Sequence, residues 1–102
     1  IISFDEPSLV LTRRLSPQVA TGLLYADFLY DALDRAKRLK TNHILPRKDR
    51  VTGDLVQEAH NAGLAVVAWT ADRLDEFRKL VIWGVDGIAT NYPDRLLEFY
   101  AR

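Results

Sequence analysis

Cysteine and methionine are both absent from this chain of 102 residues. Without cysteine the chain can form neither a disulfide nor a thiolate zinc site, although this absence does not identify a cellular compartment. Charge is balanced at 14 basic and 14 acidic residues, which argues against a general nucleic-acid binder because such proteins are clearly basic. An apolar fraction of 48% at zero net charge excludes a disordered chain. One modest hydrophobic core is therefore expected.

Long apolar runs are missing as well. No stretch of the sequence approaches the roughly 18 apolar residues of a transmembrane helix. No signal peptide is visible, so we expect a cytoplasmic location. Because the chain begins at Ile1 and has no methionine, we expect a processed protein or a segment of a larger one.

Short apolar segments alternate with amphipathic ones at a regular interval. The predicted strands end 20 to 24 residues apart, at Phe4, Tyr25, Pro46, Thr70 and Thr90. Continuous apolar runs such as 64–70 are typical of buried parallel strands, and the segments between them have helical periodicity. Thr52 and Gly63 are expected to begin and end one of these helices. The pattern predicts an α/β fold of repeated βα units, either a small doubly wound sheet or part of a (β/α)₈ barrel.

Motifs that would identify a reaction are scarce. No glycine-rich phosphate loop follows a predicted strand, and no HExxH motif or close histidine pair is present to hold zinc. His43 and His60 lie away from the carboxyl ends of the strands, where both architectures bind ligands. We therefore expect neither histidine to be catalytic. The residues alone indicate a binding face with an incomplete catalytic set.

Charged and aromatic residues at the predicted strand ends are the binding candidates. Arg47 and Lys48 directly follow a strand, and their cationic groups suit phosphate oxygens. Phe4 and Trp69 end two other strands and would present apolar surface to a ligand. The alternative for each aromatic residue is an ordinary place in the core.

Acidic residues near the strand ends are interpreted as helix caps. Asp5 with Glu6, Asp72 and Asp94 all precede predicted helices, whose first N–H groups bind carboxylates. Asp5 and Glu6 are also considered as ligands for Mg²⁺ or Ca²⁺. Capping is favoured because adjacent residues rarely converge on one ion. Asp86 precedes a strand and is assigned to the edge that serves stability.

Four segments carry a resemblance to a known family. They are the start Ile2–Asp5 (ISFD), Val51–Leu64, Val67–Thr70 (VAWT) and Gly84–Asp94 (GVDGIATNYPD). Together they resemble the C-terminal part of glycerophosphodiester phosphodiesterases. The resemblance implies strands four to eight of a (β/α)₈ TIM barrel. Residues 1–102 would then be the C-terminal part of a single barrel domain whose N-terminal part is absent.

The resemblance implies a phosphoric diester hydrolase that converts glycerophosphodiesters into glycerol 3-phosphate and an alcohol. A divalent cation, Mg²⁺ or Ca²⁺, would be bound by carboxylates, with two histidines as acid and base. In the family these groups lie on the first three strands, so this chain is expected to hold no catalytic residue and no metal ligand and to be inactive alone. Its exposed barrel edges predict pairing with the missing N-terminal half or self-association.

The resemblance also bears on individual residues. Phe4 and Trp69 would be apolar walls for the substrate, and Asn91 with Pro93–Asp94 is similar to the family's closure of the last strand. Arg47 and Lys48 are phosphate contacts by hypothesis, from their position alone.

Two alternatives stay open at this point. One is a non-enzymatic half-barrel that serves as an assembly module. The other is a small flavodoxin-like binding or signalling domain. A receiver domain of that type would end its third strand in Asp and its fifth in Lys. Pro46 and Thr90-Asn91 occupy those places here, which disfavours it.

Overall fold

A strand and then a helix follow one another five times along the chain. The computed structural model describes residues 2–3, 5–16, 18–26 and 31–101. The strands are β1 (Ile2–Ser3), β2 (Gly22–Tyr25), β3 (His43–Pro46), β4 (Ala65–Ala68) and β5 (Gly87–Ile88). The helices are α1 (Glu6–Leu15), α2 (Ala32–Arg38), α3 (Gly53–Asn61), α4 (Leu74–Ile82) and α5 (Pro93–Tyr100). None of the described helices has the length and apolar content that crossing a membrane requires.

Strand order separates the two architectures that the sequence allows. The five strands form one sheet in the order β1-β2-β3-β4-β5, and every neighbouring pair is parallel. A flavodoxin-like sheet would reverse its order at a switch point. Right-handed crossovers without a reversal keep all helices on the same face of the sheet. The flavodoxin-like alternative is therefore wrong, and the chain has the arrangement of consecutive barrel units.

One hydrophobic core joins the helices to a single face of the sheet. The strands contribute alternate residues to it, namely Leu23, Tyr25, Ile44, Val66 and Ala68. The helices contribute Leu9, Ala32, Ala36, Val56, Ala59, Phe77 and Leu80, with Leu96 and Phe99 of α5 packed at its border. Since these side chains form one contiguous cluster, the helices cover the same face of β2, β3 and β4, with Ile88 of β5 packed against it.

The opposite face of the sheet places glycines beside larger side chains. The register pairs Gly22 with His43 and Val67 with Gly87. A methyl group added at Gly22 would lie 2.5 Å from Cδ1 of Leu45. Gly22 and Gly87 therefore leave space for their larger neighbours, as in the tapered interior of a small barrel.

The predicted ends of α3 are confirmed. Thr52 Oγ1 accepts a hydrogen bond from the backbone N–H of Leu55 at 3.1 Å. Gly63 follows the helix with a φ of 78°, which a glycine adopts without strain.

The predicted carboxylate caps of α1 and α5 are wrong. Asp5 occupies the position before α1, but its carboxylate accepts from the Ser8 hydroxyl and not from a backbone N–H. Glu6 instead pairs with Arg35 of α2 at 3.1 Å, so the two adjacent carboxylates have different partners. Asp94 is the second residue of α5 and lies in its first turn. Local sequence identified the helix starts, whereas side-chain partners on other elements decided the bonding.

Asp86 joins three elements at the amino-terminal edge of the sheet. Its Oδ2 accepts from the Val66 N–H at 2.7 Å and lies 2.8 Å from Nε2 of His60. Burial raises the pKa of Asp86, but the bonds from Val66 and His60 and the His60 charge outweigh burial, and the pKa lies below its ordinary value. Asp86 thus has the position at the stability edge that the sequence predicts for it.

We expect Asp86→Asn to lower the free energy of unfolding by about 1 kcal/mol at neutral pH, because an ionised acceptor is lost. Since the folded pKa lies below the unfolded value of about 4, the carboxylate stabilises the fold above pH ~4. That contribution is lost as the pH falls through the folded pKa. Urea denaturation at a series of pH values should therefore show the two proteins converging on acidification. Glu58→Gln, an exposed change on α3, is the control and should show no convergence.

Candidate functional site

The carboxyl ends of the strands bring several segments to one edge of the sheet. The described ones follow β3 at Arg47–Arg50, β4 at Trp69–Asp72 and β5 at Ala89–Tyr92. Barrels and open parallel sheets both bind their ligands at this edge. Phe4, the predicted first wall of the site, lies outside the described residues.

Trp69 is fixed against the end of β3 by three hydrogen bonds. Its indole Nε1 donates to the Leu45 carbonyl at 2.7 Å. Its backbone N donates to the Pro46 carbonyl at 3.2 Å, and its carbonyl accepts from the Lys48 N–H at 2.6 Å. The side chain is half-buried, and the peptide bond to Thr70 is cis. Trp69 thus has a fixed position at the predicted binding edge.

Arg47 and Lys48 leave the end of β3 in different directions. Arg47 pairs with Trp69 in a parallel bridge, so the two side chains lie on the same face of the sheet. The Arg47 guanidinium donates two hydrogen bonds to Asp49, from Nε to Oδ1 at 2.7 Å and from Nη2 to Oδ2 at 2.8 Å. The Lys48 ammonium instead forms an ion pair with Glu76 on α4. Both cations therefore already have carboxylate partners.

These ion pairs hold the carboxylates in their ionised form. The hydrogen bond from Arg47 lowers the pKa of Asp49, with smaller help from the charges of Arg47 and Arg50. Burial raises the pKa of Glu76, but bonds from Lys48 and from two backbone N–H groups outweigh burial and lower it overall. An exposed pair such as Arg47–Asp49 contributes about 0–1 kcal/mol. An arriving anion can therefore displace Asp49 from Arg47 at small cost.

Asp72 does not cap α4 as the sequence predicts. Its Oδ1 accepts from the Thr90 hydroxyl at 2.9 Å and from the Asn91 backbone N–H at 2.8 Å. Its Oδ2 accepts from Nδ2 of Asn91 at 3.2 Å. The backbone bond from Asn91 lowers the pKa of Asp72, and the other bonds and the Lys48 charge add to this effect. The carboxylate therefore joins the segments that follow β4 and β5.

Glu76 performs the capping that was assigned to Asp72. Its Oε1 accepts from the backbone N–H groups of Asp72 and Arg73, both at 3.2 Å. Because its Oε2 binds Lys48, Glu76 connects the segment after β3 to the start of α4. Sequence reasoning missed Glu76, since a carboxylate inside the first helical turn carries no signal of a partner on another strand.

The acidic and histidine side chains of the described residues do not form a metal-binding cluster. In the parts of the chain that the structure describes, no three His, Asp or Glu side chains come together in a group able to hold a metal ion. His60 and His43 lie at or near the amino-terminal edge, away from Asp72 and Glu76. The described residues do not fit a divalent-cation site.

Comparison with known proteins shows which family the chain matches. Residues 1–95 match the glycerophosphoryl diester phosphodiesterase family. A glycerophosphodiester phosphodiesterase of Caldanaerobacter subterraneus subsp. tengcongensis is 30% identical over 97 residues, which are 95% of this chain and 40% of that protein. One from Bacillus subtilis is 32% identical over 98 residues, which are 92% of this chain and 33% of that protein. The chain thus spans 40% or less of the length of these two relatives.

Solved structures have the same fold. A phosphodiesterase from Oleispira antarctica, in complex with the product sn-glycerol-3-phosphate, superposes with a TM-score of 0.92 at 22% identity over 99% of this chain and 41% of its own. A glycerophosphodiester phosphodiesterase from Parabacteroides distasonis superposes with a TM-score of 0.86 at 21% identity, over 99% of this chain and 42% of its own. The five βα units are part of a TIM barrel, and the chain belongs to the glycerophosphoryl diester phosphodiesterase family.

Proposed function

We propose that this chain forms one part of a barrel enzyme that hydrolyses glycerophosphodiesters to glycerol 3-phosphate and an alcohol. The observation that carries the proposal is the family match over residues 1–95. Water attacks the phosphorus, the bond from phosphorus to the alcohol oxygen breaks, and the alcohol leaves with a proton. The product held by the Oleispira antarctica structure is consistent with this reaction class.

We further propose that a second segment completes the barrel and supplies the acid, the base and the ligands of a divalent cation, Mg²⁺ or Ca²⁺. Exposed apolar side chains on the outermost helices support this proposal, since a complete barrel would cover such surfaces. Leu11 and Leu15 on α1 are 54% and 71% exposed, and Leu97 and Tyr100 on α5 are 70% and 55% exposed. The partner is a segment with the first barrel strands, and self-association is the alternative. By itself this part of a single domain is inactive.

Within the assembled site, four residues of this chain face the substrate. Phe4 and Trp69 form apolar walls that exclude water, and Arg47 and Lys48 offset negative charge on the phosphoryl oxygens. Arg47 lies on the same face of the sheet as Trp69 and has a planar guanidinium suited to phosphate. Lys48 can keep its Glu76 partner and still offer further donors from its ammonium. A cytoplasmic location, also proposed, fits a diester substrate that carries a water-soluble headgroup.

The reaction can be tested in a chimera. The segment of the Caldanaerobacter protein that matches this chain is replaced by residues 1–102, and release of glycerol 3-phosphate from a glycerophosphodiester is measured with an excess of Mg²⁺ or Ca²⁺. We expect the chimera to be active and the isolated chain to be inactive. A folded chimera without activity would contradict the proposed function and favour an assembly module.

Trp69→Phe in the active chimera should raise KM about threefold to tenfold, because loss of the bond from the indole to the Leu45 carbonyl frees the wall to move. The matched control is Trp83→Phe, directly after α4, where the Lys79 ammonium lies over the ring instead. Steady-state kinetics of both variants measure the difference. Equal effects at the two positions would contradict a substrate-facing role for Trp69.

Arg47→Gln should raise KM about tenfold through the loss of a charged hydrogen bond to phosphate. Lys48→Gln should have a smaller effect, since Glu76 already neutralises part of the Lys48 charge. Kinetics at two salt concentrations provide the check, because added salt should diminish the Arg47 effect. An unchanged KM in both variants would remove the phosphate contacts from the proposal.

A further inference from the structure

The side-chain amide of Asn91 is held in one orientation by Asp72. The Asn91 backbone N and its Nδ2 donate to the two different oxygens of the same carboxylate, at 2.8 and 3.2 Å. The Thr90 hydroxyl donates to the same carboxylate and accepts from the Tyr92 N–H at 3.0 Å. Consecutive residues before α5 are thus bound together at the carboxyl edge.

An ionised carboxylate accepts hydrogen bonds and cannot donate them. The depressed pKa of Asp72, caused first by the Asn91 backbone bond, keeps the carboxylate ionised at neutral pH. The amide group that faces it must therefore be Nδ2, and Oδ1 of Asn91 is turned away from Asp72. Asn91 is exposed, and no described residue donates a hydrogen bond to this Oδ1. A hydrogen-bond acceptor with a fixed orientation results.

This acceptor lies in the segment that follows β5, beside the segment that follows β4 and carries Trp69. Backbone bonds from Ala89 N to Ala68 O at 2.8 Å and from Ala71 N to Ala89 O at 3.0 Å hold the two segments together. A carbonyl-type oxygen repels the oxygens of a phosphate but accepts a bond from an alcohol. The chemistry of the position therefore favours a hydroxyl group over the phosphoryl group as its ligand.

We propose that Oδ1 of Asn91 accepts a hydrogen bond from a hydroxyl group on the glycerol moiety of the substrate, and that Asp72 is the positioning residue that turns the amide toward it. The proposal rests on the proposed function for the nature of the substrate. It adds a residue that distinguishes glycerol-based diesters from diesters without hydroxyl groups.

The test uses the active chimera and two substrates, a glycerophosphodiester and the analogue in which a propyl group replaces the glycerol. Asn91→Ala should lower kcat/KM about threefold to tenfold for the glycerol substrate, the effect of one neutral hydrogen bond, and less than about twofold for the analogue. Asp72→Asn should also lower kcat/KM for the glycerol substrate more than for the analogue. An amide at position 72 can donate a hydrogen bond, so the Asn91 amide could rotate and point its Oδ1 toward residue 72. Asp75→Asn, exposed on α4, is the matched control and should change neither value.

Amide signals of the Asn91 side chain in the ¹⁵N-labelled protein report the orientation independently of activity. They should move as the pH falls through the pKa of Asp72, and this movement should be absent in Asp72→Asn. If Asn91→Ala lowers kcat/KM equally for both substrates, the inference is overturned and the proposed function stands. Absence of hydrolysis with either diester would overturn both. A loss of stability in Asp72→Asn without a change in substrate preference would reduce Asp72 to a structural role.

Discussion

Burial of a single face of the parallel sheet is the constraint on which the rest of this chain depends. Ile44 and Val66 lie beneath the helices with no exposed surface, and Phe77 closes the same core from α4. Because the strands follow one another in chain order, all the helices lie on that face and all the carboxyl ends lie on one edge. The position of the candidate site follows from this arrangement before any of its side chains is considered.

At each edge of the sheet, one aspartate carboxylate accepts several hydrogen bonds, but the groups it binds differ. At the amino edge Asp86 binds a backbone N–H of β4 and a histidine of α3, which fastens adjacent elements. At the carboxyl edge Asp72 binds a hydroxyl, a backbone N–H and an amide of the neighbouring segment. Asp86 joins β4, α3 and the segment before β5, whereas Asp72 fixes the exposed polar groups that follow β5. The carboxylate that fastens regular structure and the one that fixes the proposed binding groups thus lie at opposite ends of the strands.

Charge at the carboxyl edge is compensated within the chain itself. Arg47 is paired with Asp49 and Lys48 with Glu76, so the cations predicted to face a phosphate do not form an unpaired basic patch. The exposed Arg47–Asp49 pair can exchange partners at little cost. An anion bound by Arg47 would displace Asp49, whereas Lys48 would keep Glu76. This is consistent with the zero net charge of the sequence, which gives no sign of an anion site.

Periodicity was sufficient for the βα repeat, the cap at Thr52 and the stability edge at Asp86, because apolar spacing and helix-end chemistry are local properties. The family resemblance of the GVDGIATNYPD and VAWT segments then favoured a barrel over the open sheet that periodicity left possible. Strand order, the bonding of Asp72 and the partner of Lys48 depended on residues about twenty positions away or more. A sequence pattern gives the type and place of a side chain along its own strand or helix. Only the tertiary structure decided which carboxylate caps α4 and which one turns Asn91, since those choices depend on how neighbouring strands lie side by side.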